Sequence, residues 1–288
     1  EIIIYHYIIM SDSTGYGTNS LNGNTGIQNS AFGTSTIQNS SSGDYNSAVG
    51  AFALATNTTG TANSALGTNA LLKNDTGNYN TAIGTASMCF NTIGNLNTSI
   101  GSKSLENNID GNENIAIGTQ TLFNNIAGYQ NIAIGNNSLF NSNSNLNTAV
   151  GHNSLYTTID GINNIAVGNN SLQYNTGSNN TAIGHLSLQG QESNDNTGSN
   201  NTAIGTSSLA INTTGYENIA VGSSSLASNT TGANNVAIGN DSLVNNESGT
   251  QNVAIGTYSL ASNIIGGQNT AIGYQALQTN TATGNTAV

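Results

Sequence analysis

Charge is what this chain has least of. Only 5% of its 288 residues are Asp, Glu, Lys or Arg, against roughly 25% in an ordinary soluble domain. Lys73 and Lys103 are its two cations, so arginine is absent, as are proline and tryptophan. Thirteen scattered acids leave a net charge of -11, which repels nucleic-acid phosphates and anionic membrane surfaces and excludes both as partners. A disordered chain of low hydrophobicity normally carries high charge, and this one does not. The single Cys89 cannot close an internal disulfide. No run of eighteen apolar residues is present, so no helical span or membrane insertion is expected. The apolar opening, Glu1–Met10, lacks the basic start of a signal peptide and reads as a strand-rich end segment.

What is abundant is glycine, 35 residues of it, together with Asn, Thr and Ser, and 30 of those glycines fall in a periodic series. Residues 201–222 read NTAIGTSSLAINTTGYENIAVG, the same phrase returning after seventeen residues. Its terminal glycine recurs at 33, 50, 67, 84, 101, 118, 135, 151, 168, 184, 205, 222, 239, 256 and 273, with Gly17 as an earlier degenerate member. Eleven of the fourteen intervals are seventeen residues, two are sixteen and one is twenty-one. The long interval places an extra loop around Gly190–Asp195. No linker or shift in composition interrupts the series, which defines an end segment (1–16) and one repeat domain (17–288).

The columns of this alignment carry the structural content. Asn stands four residues before every one of the fifteen glycines: Asn29, Asn46, Asn63, Asn80, Asn97, Asn114, Asn131, Asn147, Asn164, Asn180, Asn201, Asn218, Asn235, Asn252 and Asn269. Ala lies two before, with Ser99 the exception, and Leu four after, with Ile37 and Met88 as variants. A second Gly lies seven before the first, except at Ser144. A period of seventeen is too short for helical repeats and suits one coil of a parallel β-solenoid, all-β, with about sixteen coils of 16–17 residues. Each coil is expected to hold two short strands, Asn-Thr-Ala-Ile-Gly and Ser-Leu-x-x-Asn, joined at glycine turns of positive φ. Stacked amides have donors and an acceptor for both neighbours, so the Asn column is expected to form a hydrogen-bonded ladder.

Alternate residues of a strand face opposite ways, yet the Ala column and the bulky column beside it are both apolar. The latter comprises Ile83, Ile100, Ile117, Ile134, Val150, Val167, Ile183, Ile204, Val221, Ile238, Ile255 and Ile272, preceded by Phe32 and Leu66. Either Ala and Leu fill the coil and the Ile/Val column meets another chain, or the reverse. Both leave an apolar stripe larger than soluble monomers expose. Self-association is expected, most simply as a homotrimer or, if the two chain ends stack, as a filament with Ile2–Met10 docked on the last coil of the next copy. The abrupt stop at Val288 equally reads as a piece of a longer protein.

The phrase NTAIGTxSLxxNTTG, at Asn201–Gly215 and Asn218–Gly232, resembles the head repeats of trimeric autotransporter adhesins and of tail-fibre-like proteins. That resemblance implies a left-handed parallel β-roll, three-fold association, display at the cell surface and an adhesive or fibre function. The coils here are longer than in most adhesin heads.

Chemistry finds little support. His152 and His185 lie two coils apart, too far to share a metal, and the acids Asp110, Asp160, Asp241 and Glu247 occur singly. Two carboxylates at fixed separation are needed for glycoside hydrolysis, and the Ser columns have no base nearby. No cofactor, metal or catalytic residue is expected, and the chain reads as a non-enzymatic extracellular fibre. The alternative is a surface that binds glycan through its Thr, Asn and Tyr faces. Ice is a weaker ligand, because the Thr column at 25, 59, 76, 176, 197, 214 and 231 is interrupted by Ile93, Asp110 and Ala127.

Overall fold

Every coil of the computed structural model contributes one strand to a single parallel sheet. The structure describes residues 13–40, 42–192 and 196–288. The end segment Ile2–Met10, with His6, lies outside the described residues, as does the tip of the loop at 193–195. Among the described residues seventeen strands run from β1 (Thr14–Tyr16) through β7 (Ile115–Ile117) and β12 (Thr202–Ile204) to β17 (Thr286–Ala287). Each pairs with its neighbours in sequence, in register and in parallel. At about 4.8 Å per coil the stack is roughly 75 Å long. No helix occurs among the described residues.

The register places like on like. Ala65 sits opposite Ala82, Ala116 opposite Ala133, and Ile83 opposite Ile100. Of the two arrangements open from sequence, the structure takes the one with Ala and Leu inside: both columns are buried, while Ile83, Ile100, Ile134 and Ile204 are each 37 or 38% exposed. The physical reason is room. A thin coil holds one small side chain from the sheet and one large one from the opposite turn, and Ala facing Leu fills it.

Two expectations need correction. The Ser-Leu-x-x-Asn segment is not a second strand; it is a run of turns in every coil. Its Leu sits at positive φ, 49° in Leu71, Leu105 and Leu122. Backbone bonds between coils persist there, such as Leu71 N–H to the Ser87 carbonyl at 3.0 Å, but the chain bends too sharply to extend. A left-handed conformation costs an L-residue roughly 1–2 kcal/mol. Burying a Leu side chain returns about 1.5–3 kcal/mol, so the interior dictates the conformation. The preceding Ser closes the turn: Ser154 Oγ donates to the Gly151 carbonyl at 2.9 Å and Ser171 Oγ to that of Gly168 at 3.0 Å.

The second correction concerns the glycines. Those ending the strands do have φ of 124–140°. The second glycine column does not. At Gly77 a Cβ would lie 2.4 Å from the Gly94 carbonyl oxygen and 2.5 Å from Asn74 Oδ1. These glycines are required by close approach of coils, not by turn conformation.

The exceptions in the columns form local hydroxyl contacts. Ser99, the one polar residue among the inner alanines, donates through Oγ to the Ser104 carbonyl at 2.9 Å and lies 2.7 Å from Ser87 Oγ. Ser144, which replaces a column glycine, stands in a sixteen-residue coil where Ser142 replaces a buried Asn. Their hydroxyls are 2.9 Å apart, and Asn147 Nδ2 donates to Ser144 Oγ at 2.9 Å.

Candidate interaction surfaces

The asparagine ladder is internal, so it is a structural device. All fifteen predicted side chains are buried. In the repeating unit, Asn80 N–H donates to Asn63 Oδ1 at 2.9 Å, and Asn63 Nδ2 donates to the Gly77 carbonyl at 2.8 Å. Each side chain thus clasps the following coil at two points. The link survives every irregularity: it passes the sixteen-residue coils through Asn147 and Asn180 and the inserted loop through Asn201 N–H to Asn180 Oδ1 at 2.9 Å.

A second buried ladder was missed in the sequence. Asn57, Asn74, Asn91, Asn108 and Asn125 stack at the next corner, each Nδ2 donating to the preceding Oδ1 at 2.6–2.8 Å. The same amides donate to the glycine carbonyl three residues on, as Asn74 does to Gly77 at 2.8 Å. One glycine carbonyl therefore receives two amides, one from each ladder. The available signal was an Asn three residues before the second glycine, in phrases such as NTTG and NDTG. The column breaks at Ser142, and Asn125 Oδ1 is left without a hydrogen-bond partner.

Two surfaces face outward. One is the outer side of the sheet. Besides the Ile/Val column it carries the first residue of each strand, Ser or Thr in many coils but Ile115, Ile132, Ile165, Ile219, Val236 and Val253 in others. The expected apolar stripe is present, and no strand among the described residues contains a charged residue.

The other is a groove on the turn side, between residues six and eight places after the strand-ending glycine. The intervening residues are the inward asparagines of the second ladder, so two walls rise with a backbone floor between them. One stretch encloses about 620 Å³ between Lys73, Phe90, Asn107 and Asn124 on one wall and Thr92, Ile109 and Ile126 on the other. A second, of about 400 Å³, is lined by Tyr156, Ile159, Tyr174 and Glu192 among others. Lys73 Nζ lies 5.0 Å from the centre of the Phe90 ring, a cation–π geometry. Asn107 Nδ2 donates to Asn124 Oδ1 at 3.2 Å, and Asn124 Nδ2 to Asn141 Oδ1 at 2.7 Å. Beside this wall Phe123, Phe140 and Tyr156 form an aromatic stack with centroids 5.1 and 5.2 Å apart. Sequence reading passed over this stack because the signal, aromatics at spacings of seventeen and sixteen, covers three coils only.

The residues weighed for chemistry stay apart. His152 and His185 are both exposed. Among the described residues no group of three or more His, Cys, Asp or Glu could hold a metal ion. Cys89 is buried, and its thiol is pushed up from its ordinary value, first by burial and then by the Glu106 carboxylate. The lone ion pair among the described residues is Lys103 with Glu106 at 3.8 Å. Tyr45, Tyr79, Tyr129 and Tyr216 are 44–61% exposed and scattered along the rod. Comparison with protein-family models, with curated proteins and with solved structures found no match.

Proposed function

We propose that the chain is a non-enzymatic structural or adhesive fibre module, displayed outside the cell and self-associating through the apolar columns of its sheet. The observation that carries this reading is the repeating interior. Ala, Leu and the first Asn ladder recur coil after coil with few substitutions, and the second Asn column runs beside them except where Ser142 interrupts it, so each added coil contributes length and outer surface. Such a rod is held by hydrogen bonds and packing that do not depend on ion pairs, which fits a charge content of 5%. The adhesin-like and tail-fibre-like phrasing of the repeats supports the same reading. Its partners are then copies of itself and a host or cell surface. Negative-stain imaging of the purified chain tests it directly. Straight rods, single or joined, are expected; compact particles would count against a fibre.

A second reading has one specific observation behind it. The groove that begins at Lys73 and Phe90 sets Ile109 and Ile126 on one wall against a row of amide side chains, Asn107 and Asn124, on the other, the pairing that a neutral sugar chain needs for its apolar faces and its hydroxyls. A glycan array probed with the chain and with Phe90→Ala tests it: binding lost in the variant would support a glycan site, and no binding by either would remove it. The outer sheet face mixes Ser, Thr, Ile and Val in its first column, which does not favour ice.

A further inference from the structure

The outer face of the sheet is large enough, and of the right shape, to specify how copies associate. This inference rests on the self-association proposed above. The face extends over the whole rod, roughly 75 Å, and a three-residue strand makes it about 10 Å wide. One copy therefore offers on the order of 750 Å². Two such faces in contact bury about 1,500 Å² in total, the size of a standard stable interface. The composition agrees, since interface centres are depleted of charge and the strands carry none.

Shape separates two copies from three. Facing sheets pack about 10 Å apart, so each holds its side chains within about 5 Å of the midplane. Three sheets around an axis at that distance form a triangle whose sides are about 17 Å by the same spacing. A face only about 10 Å wide would cover little more than half of each side and leave the corners open. Two faces opposed across a two-fold axis leave no such gap. The face also has relief to interlock: Val49, Leu66 and Ile83 border a dent of about 180 Å³, room for an aliphatic side chain from an opposing copy.

We propose that two copies pair face to face through the outer side of the sheet, the Ile/Val column of each seating against that of the other, in place of the three-fold arrangement that the repeat resemblance implies. The test is light scattering coupled to size exclusion on the full 288-residue chain, with imaging of the same fractions. A mass of twice 29.2 kDa is expected. Ile117→Lys with Ile134→Lys should raise the dissociation constant at least 100-fold, because two charges from each copy would be buried without partners. Ile109→Lys with Ile126→Lys, on the groove side, should leave it within a factor of about three, the range of a surface change. Should the first pair unfold, Ile117→Thr with Ile134→Thr places residues that other strands already carry on this face, and should still weaken pairing at least tenfold. A mass of three chains, or a two-chain mass unchanged by the Ile117 and Ile134 variants, would overturn the proposal. Single rods of one-chain mass would overturn it together with the self-association it rests on while leaving the rod-like fibre shape intact, whereas compact particles would sink the fibre reading itself.

Discussion

Replacing Asn114 by Ala in the middle of the rod should cut the inner ladder at one rung, and the structure sets the size of the effect. Asn114 Nδ2 donates to Asn97 Oδ1 at 3.1 Å and to the Gly128 carbonyl at 2.8 Å, while its Oδ1 accepts from Asn131 N–H at 3.0 Å and Asn131 Nδ2 at 3.1 Å. After substitution the Gly128 carbonyl keeps Asn125 Nδ2, and Asn131 Nδ2 keeps the Ser144 carbonyl. The Asn131 backbone N–H keeps nothing and is buried. One orphaned donor costs about 1–3 kcal/mol and the other lost bonds add about 1, so the loss should be about 3 kcal/mol. A chain of 288 residues has an unfolding entropy near 0.6 kcal/mol/K. The melting temperature should therefore fall by about 5 °C if the rod unfolds as one unit. Stability in a solenoid is a sum over neighbouring coils, so a separate early transition is the other form the loss can take. Calorimetry measures the shift, and amide exchange at Asn131 locates it. Asn240→Ala, which removes only an exposed contact to Asp241, is the control and should change stability by less than about 0.5 kcal/mol. If Asn114→Ala behaves like that control, and Asn131 stays protected from exchange, the ladder does not hold the coils.

Gly111→Ala should destabilise by about 3 kcal/mol, the upper end of overpacking costs, because the new Cβ would lie 2.3 Å from Asn108 Oδ1 and 2.5 Å from the Gly128 carbonyl; urea titration checks it, and a stabilised variant would refute the close-approach account. Ser142→Asn with Ser144→Gly should be coupled by about 0.5–3 kcal/mol, since the other sixteen-residue coil carries that pair as Asn175 and Gly177, joined by a 2.8 Å bond from Gly177 N–H to Asn175 Oδ1; a double-mutant cycle with additive terms would argue otherwise. Cys89 should resist thiol reagents until the rod unfolds. Its folded pKa is raised above the ordinary 9.0, so the folded state holds the thiol proton more tightly, and its contribution to stability should be full at neutral pH and decline as pH rises past the unfolded value. Cys89→Ala should flatten that alkaline decline, as alkaline melts can show.

Some of this protein was legible in its residues alone. The period of seventeen, the number of coils and the parallel stacking follow from the glycine series, because only a coil returning on itself places Asn on Asn fifteen times. The first Asn ladder followed as well, from the chemistry of a stacked amide, though not its burial. Which apolar column lay inside did not: Ala82 and Ile83 are both apolar, and only the narrow interior, already filled from the opposite turn by Leu71, Met88 and Leu105, decided for Ala. Local rules assign positive φ to glycine, yet Leu105 and Leu122 adopt it, because the energy gained in filling the coil exceeds the backbone cost. Local rules likewise read Gly77 and Gly111 as turn residues, when it is the next coil's carbonyl and two ladders of amides that exclude a side chain there. Both are effects of one coil on another. They exist only once the coils are stacked, and so only the tertiary structure could decide them.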